Sequence, residues 1–344
     1  MTDPGGDILI TGASGSLGKQ LVYELDRQGL SPVAQVRQSS DTRYLDSVGV
    51  RKRVTDLRNK TDLSRLVAGV DSIIHTAAWV NFRQDRLADF VALNTDGSRH
   101  LFAAAQKAGV KRFVHVSTVA AVGAIPRQSH GELNPVGPPD RASEDTPFNL
   151  GHLHIPYIMT KREAEEKLLQ SAPDGKTELV IVNPSVIVAP SRTGDDRGKA
   201  LKKFPRWLAP GLPNFVNLVD IRDVAAGVIA AMNNGRPGER YILGGDNVTA
   251  RELLLIISSV LGRAPHFVRL PRAALFSAAR LAALRGRLTG SGKVSFYPDL
   301  IRLLDYDWAF SSRKARRELG YTSRSLYVTL KDLLTNNFTH SYAR

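Results

Sequence analysis

The sequence predicts an α/β protein: a doubly wound parallel sheet followed by a smaller, mostly helical C-terminal lobe. Three observations carry that prediction. Short apolar runs alternate with helix-like stretches over the first 120 residues, the pattern of repeated strand–helix–strand units. A glycine-rich turn joins the first of these runs to the first helix. The 344 residues are 42% hydrophobic and 23% charged, an ordinary globular mix with length for about two domains.

The first strand is Asp7–Thr11 (DILIT), and a helix over about 16–28 follows it. Further strands are expected near 32–36, 51–54, 72–75 and 112–117. Right-handed crossovers between them put the ligand crevice beyond the carboxyl ends of the strands. From 124 to 156 the periodicity fails, and six of the chain's 18 prolines fall within those 33 residues. A loop of that length commonly serves as a lid or binding segment. A helix over about 157–171 and a strand over 179–182 restore regularity. The division expected is a first domain over 1–185 and a lobe over 186–344, with strand-like segments near 214–246 returning to the first domain.

Composition narrows the chemistry. Cysteine is absent, which removes disulfides, thiolate metal sites and a cysteine nucleophile, and fits a reducing cytoplasm. The opening MTDPGGD lacks the basic and apolar parts of a secretion signal, and no run of about 18 apolar residues stands ready to span a bilayer. Net charge is +14, and residues 263–344 hold 15 basic against 5 acidic groups. Without zinc-finger, RNA-recognition or basic-zipper spacing, a solvated basic surface is the preferred account and nucleic acid is not an expected partner. Over 270–288, Arg272, Arg280 and Arg287 share one helical face while Leu281, Leu284 and Leu288 share another. A lobe helix burying its leucines is preferred over peripheral contact with an anionic membrane. Nothing in the pattern sets an oligomeric state.

Immediately after the first strand stands Thr11-Gly12-Ala13-Ser14-Gly15-Ser16-Leu17-Gly18. Glycines at 12, 15 and 18 allow a tight turn, and the backbone N–H groups around Ser14, Ser16 and Leu17 can approach a pyrophosphate at the positive end of the helix. The first domain is therefore read as dinucleotide-binding, a Rossmann unit. The second strand ends Ala34-Gln35-Val36-Arg37. It has no acid for a ribose 2′-hydroxyl, whereas Arg37 can pair with a 2′-phosphate. NADP (as NADPH) is the preferred cofactor, with NAD as the alternative.

Tyr157 and Lys161 are four residues apart on a predicted helix and so face the same way. Spacing does not distinguish them, because Tyr327 and Lys331 repeat it. Position does: Ser117-Thr118 closes the fifth strand, 39 residues upstream, where the crevice should lie. A phenol with an ordinary pKa near 10 exchanges protons poorly at neutral pH, and a neighbouring ammonium favours its ionised form. Thr118 would orient the substrate oxygen, Tyr157 would donate or accept the proton, Lys161 would hold the nicotinamide ribose, and the cofactor would carry the hydride.

With these motifs the chain resembles the extended short-chain dehydrogenase/reductases. The resemblance includes Thr11 to Gly18, Asp56-Leu57, His75-Thr76-Ala77-Ala78, Asn94-x-x-Gly97-Ser98 and Ser117-Thr118. It continues through Tyr157 to Lys161, Asn183-Pro184-Ser185, Asp220-x-x-Asp223-Val224-Ala225 and Lys314 to Tyr321, nearly the whole chain. The resemblance implies that Asp56 and Leu57 contact adenine, that Ala77 and Ala78 line the cofactor, and that Pro184, Ser185 and Val186 flank the nicotinamide. Thr118 stands where the family usually has serine. Thr118-Val119-Ala120 lacks the Asp-Glu pair of sugar-nucleotide dehydratases, so that reaction is not expected.

Val36-Arg37, Asn149-Leu150-Gly151 and Lys161 to Glu165 look like the dihydroflavonol-4-reductase-like and 3β-hydroxysteroid-dehydrogenase-like members. Their substrates imply a bulky cyclic ketone or secondary alcohol, for which Trp79, Phe82, Phe148 and Phe204 are candidate pocket residues. Asn183 points another way, since sugar-nucleotide epimerases hold a diphosphate with an asparagine in a similar setting. The readings carried forward are an NADP-dependent oxidoreductase, a sugar-nucleotide epimerase and a non-catalytic NADP sensor. His130, His152 and His154 lack the spacing of a metal site, and no metal is expected.

Overall fold

A computed structural model describes residues 7–80, 86–126, 141–173, 176–190, 215–264 and 302–335, with 207–208, 266–267 and 277 as isolated pieces. Seven parallel strands among the described residues form the main sheet. β1 (Asp7–Thr11) is flanked on one side by β2 (Val33–Val36) and β3 (Arg51–Val54). On the other side come β4 (Val70–His75), β5 (Arg112–Val116), Glu178–Pro184 and the edge strand Arg240–Leu243. The strand order reverses between β1 and β4, which makes the carboxyl ends of those two strands the natural binding crevice.

The sheet is buried on both faces, which explains why its strands read as continuous apolar runs. Alternate residues feed different cores. Ile8, Ile10, Ile74, Val114 and Val180 pack with the helices Ser16–Arg27 and Ile221–Asn234. Leu9, Val33, Ile73, Phe113 and Leu179 pack with the helix Ser98–Ala108 on the opposite face. β3, with the sequence RKRV, is the exposed edge, and its charges discourage pairing with another sheet.

Beyond this sheet, Val216–Asp220 pairs with Val186–Val188 and with Asp246–Val248 in a separate three-stranded sheet. The C-terminal segment then returns across the molecule. Trp308 N–H donates to the Phe215 carbonyl, Ala142 N–H to the Ala309 carbonyl, and Phe310 N–H to Asn247 Oδ1. Part of the proline-rich loop is ordered by the same region. The Asn149 amide clasps both the N–H and the carbonyl of Ala124, at 3.2 and 2.7 Å, and Pro156 begins the next helix. Residues 127–140, with His130, and nearly all of 270–288 lie outside the described residues. Among the described residues no helix is long and apolar enough to cross a membrane.

Candidate active site

The β1-to-helix turn is a cradle only glycine can line. Gly12 has φ +68°, and a Cβ there would stand 2.8 Å from the Ala77 Cα. A Cβ on Gly18 would lie 2.4 Å from the Gly12 carbonyl oxygen and 2.6 Å from the Ala13 Cα. Gly15 is the N-cap of the helix Ser16–Arg27, without a side-chain cap and without an acid in the first turn. The first-turn N–H groups are thus left for an anion, with Ser14, Ser16 and Leu17 half-buried around them. These features fit a dinucleotide pyrophosphate. Gln35 supports the turn, and sequence reasoning missed it: its Oε1 accepts from Gly12 N–H at 3.0 Å and its Nε2 donates to the Thr55 carbonyl at 2.6 Å. A buried glutamine inside the apolar run of β2 was the available signal.

At the end of β2 the exposed Arg37 borders an open cleft shared with Ser39, Thr55, Asp56, Arg58 and Asp62. Arg58 grips the Asp56 carboxylate with two bonds, at 3.0 and 2.5 Å, and holds its pKa below the ordinary value, with Arg37 adding a smaller push. Leu57 is buried in the core. Ala77 and Ala78 are half-buried where β4 ends, Pro184 and Ser185 are buried, and Val186 is exposed.

Across the crevice, Thr118 is the second residue past β5 and Tyr157 occupies the first turn of the helix Pro156–Ser171, whose N1 proline suits a helix start. The Thr118 side chain hydrogen-bonds the Tyr157 hydroxyl. Burial pushes the phenol above its ordinary 10, and that hydrogen bond pulls it part of the way back. Lys161 is 2% exposed, and its Nζ donates to the Val116 carbonyl at 2.7 Å. Burial brings the ammonium down to about 8, against an opposing push from Glu165. The expectation from sequence was a phenol drawn towards ionisation by the lysine. Here desolvation outweighs the Thr118 hydrogen bond, and the phenol is protonated at neutral pH.

The surrounding polar groups brace this set. Asn183 is fully buried, and its Nδ2 donates to the Thr118 carbonyl at 2.9 Å and to Glu165 Oε1 at 2.7 Å. Asn183, a candidate substrate contact in the sequence, turns both amide hydrogens to the protein's own oxygens. Asn94 lies in a π-helical stretch, Val91–Gly97, a distortion frequent at functional sites. Its amide holds the Trp79 N–H at 2.7 Å and the Trp79 carbonyl at 3.2 Å. Trp79 is half-buried with the Arg86 guanidinium over its ring. Phe148 and Trp308 pack in the apolar cluster that includes Tyr157, and Trp308, far along the chain, was not foreseen. Phe82 and Phe204 lie outside the described residues.

A sheet of this order, with a phosphate cradle at its reversal point, places the protein among NAD(P)-dependent oxidoreductases of the extended short-chain dehydrogenase/reductase type. Comparison then gives the family. Residues 8–244 match the NAD dependent epimerase/dehydratase family, and the chain belongs to it. It is 31% identical to the sterol demethylase protein B of Methylococcus capsulatus, over 94% of this chain and 96% of that one. It is also 31% identical to a putative dihydroflavonol 4-reductase of Synechocystis sp., over 97% and 95% of the two chains. Among solved structures, that of gox2253 matches with a TM-score of 0.77 and 27% identity, covering 98% of this chain and 99% of the other.

Proposed function

We propose that the protein interconverts a ketone and a secondary alcohol on a bulky cyclic substrate, steroid-, flavonoid- or aryl-like, using NADP. The observation that carries this reading is the Thr118–Tyr157 hydrogen bond at the carboxyl end of the sheet, one helical turn from the buried Lys161. NADPH, when bound in the glycine cradle, supplies the hydride. Tyr157, protonated at neutral pH, gives its proton to the carbonyl oxygen as negative charge develops there, and takes one back in the reverse direction. Thr118 orients that oxygen, and Lys161 sets a positive charge behind the phenol. A sterol and a dihydroflavonol, the compounds in two relatives' names, are both bulky ring systems, and Phe148 and Trp308 provide apolar surface near Tyr157. Arg37, with no acid ending β2, favours NADP over NAD.

The test is NADPH consumption against a panel of steroid, flavonoid and aryl ketones, with UDP-sugars assayed separately for isomerised product. Reduction of a ring ketone is expected, and Tyr157→Phe should lower its rate by about a hundredfold or more. Unchanged turnover in that variant would refute the role of Tyr157. Isomerised UDP-sugar without net NADPH consumption would establish the epimerase reading instead.

A further inference from the structure

Tyr157, Lys161 and Glu165 recur at intervals of four along the helix Pro156–Ser171 and so share a face. Glu165 is fully buried. Its Oε1 accepts from Asn183 Nδ2 at 2.7 Å, and its Oε2 stands 3.2 Å from the Arg240 guanidinium. Through its other amide hydrogen the same Asn183 holds the carbonyl of Thr118. One carboxylate thus connects the lysine's helix to the strand end that carries the threonine. We propose that Glu165 is a positioning residue for the reaction, the buried counter-charge that keeps the Lys161 ammonium charged and, through Asn183, fixes Thr118. This rests on the functional reading above.

A buried carboxylate costs desolvation energy that a well-packed apolar residue would avoid. The bond to Asn183 does not by itself require a negative charge, whereas the two cations do: Arg240, partly exposed, and Lys161, fully buried. The groups that face it are Tyr157 and Glu165 from its own helix, His75 from β4 and His115 from β5, with Arg240 beyond Glu165. Burial holds both histidines neutral and the Lys161 charge disfavours their protonation further. Among the described residues that leaves Glu165 as the anion facing the ammonium, and it opposes the burial that draws Lys161 down to about 8.

Glu165→Gln preserves the volume and the acceptor for Asn183 and removes the charge. Arg240→Gln removes the competing cation. The pH titration of Lys161 is followed by NMR on protein labelled in lysine, with and without NADPH, and assigned with Lys161→Met. Glu165→Gln should move that titration down by about one pH unit, and Arg240→Gln should move it up. An unmoved titration in Glu165→Gln overturns the proposal even if that variant melts earlier, since a purely structural role predicts only the earlier melting. Should Glu165→Gln not fold, an unchanged or lowered titration in Arg240→Gln overturns it. Tyr157→Phe on the ketone panel separates the two levels. Retained turnover defeats the functional reading, whereas lost turnover with an unmoved Lys161 titration defeats only the role of Glu165.

Discussion

Arg37 is exposed at the mouth of its cleft, and Arg58 already pairs with one of the cleft's carboxylates, Asp56. A charge-assisted pair to a 2′-phosphate is worth about 1.5–3 kcal/mol. Arg37→Ala should therefore weaken NADPH binding roughly tenfold or more while leaving NADH nearly unchanged, as read by titrating the fluorescence of each reduced cofactor. Equal losses for the two would refute NADP preference. At this scale the sequence named candidate residues but not their bonds. Position along the chain singled out Tyr157, Lys161 and Thr118. The bond from Lys161 to the Val116 carbonyl depends on how a helix lies across a strand, and no spacing encodes that.

A tight contact between elements is the approach of the helix Ser16–Arg27 to the turn that follows β1. Gly18 meets backbone rather than a flexible side chain, so Gly18→Ala has nothing small to displace. The substitution should destabilise the protein by roughly 1–3 kcal/mol or more and abolish dinucleotide binding, measured by thermal melting and by cofactor fluorescence in parallel. A variant that binds NADPH normally would show that the turn can shift. The sequence marked this turn because glycine is the residue a close backbone approach requires. The π-helical form of Val91–Gly97 left no comparable mark in the periodicity, although Asn94 and Gly97 stood out as a motif; inside the stretch the Asn94 amide reaches the Trp79 backbone.

For the molecule as a whole, the buried histidines govern acid behaviour. His75 is pushed from its ordinary 6.5 to about 3 and His115 well below 6.5, in both cases mainly by burial. Below 6.5 the unfolded chain takes up protons that the native state refuses, so stability is full above 6.5 and falls with decreasing pH. Asp223 acts in the opposite sense. Burial raises it from 3.8 to about 6, so its contribution is present at low pH and is lost as pH rises through about 6. Glu144, also raised by burial, acts with Asp223, but the two histidines and the arginine- or lysine-paired carboxylates Asp7, Asp46 and Asp56 act the other way, which predicts net destabilisation on acidification. Both ring nitrogens of His115 are buried without a hydrogen-bond partner, so His115→Leu should be close to neutral at pH 7 and should reduce the acid slope by up to about 1.4 kcal/mol per pH unit. Thermal melts between pH 7 and pH 4.5 check this, and an unchanged slope would contradict it.

By itself the sequence determined the alternating architecture and the glycine turn, and it marked Thr118, Tyr157 and Lys161 as candidates, because each depends on local periodicity or on residues whose backbone or chemistry has few substitutes. Only the tertiary structure decided that Asn183 braces the site from inside, that Val216–Asp220 joins a separate small sheet, and that Trp308 comes back to the cluster around Tyr157. The physical reason is common to all three. Burial and pairing between distant segments are set by which surfaces meet once the chain has closed on itself, and residues outside one local repeat carry no periodic pattern that announces their contact.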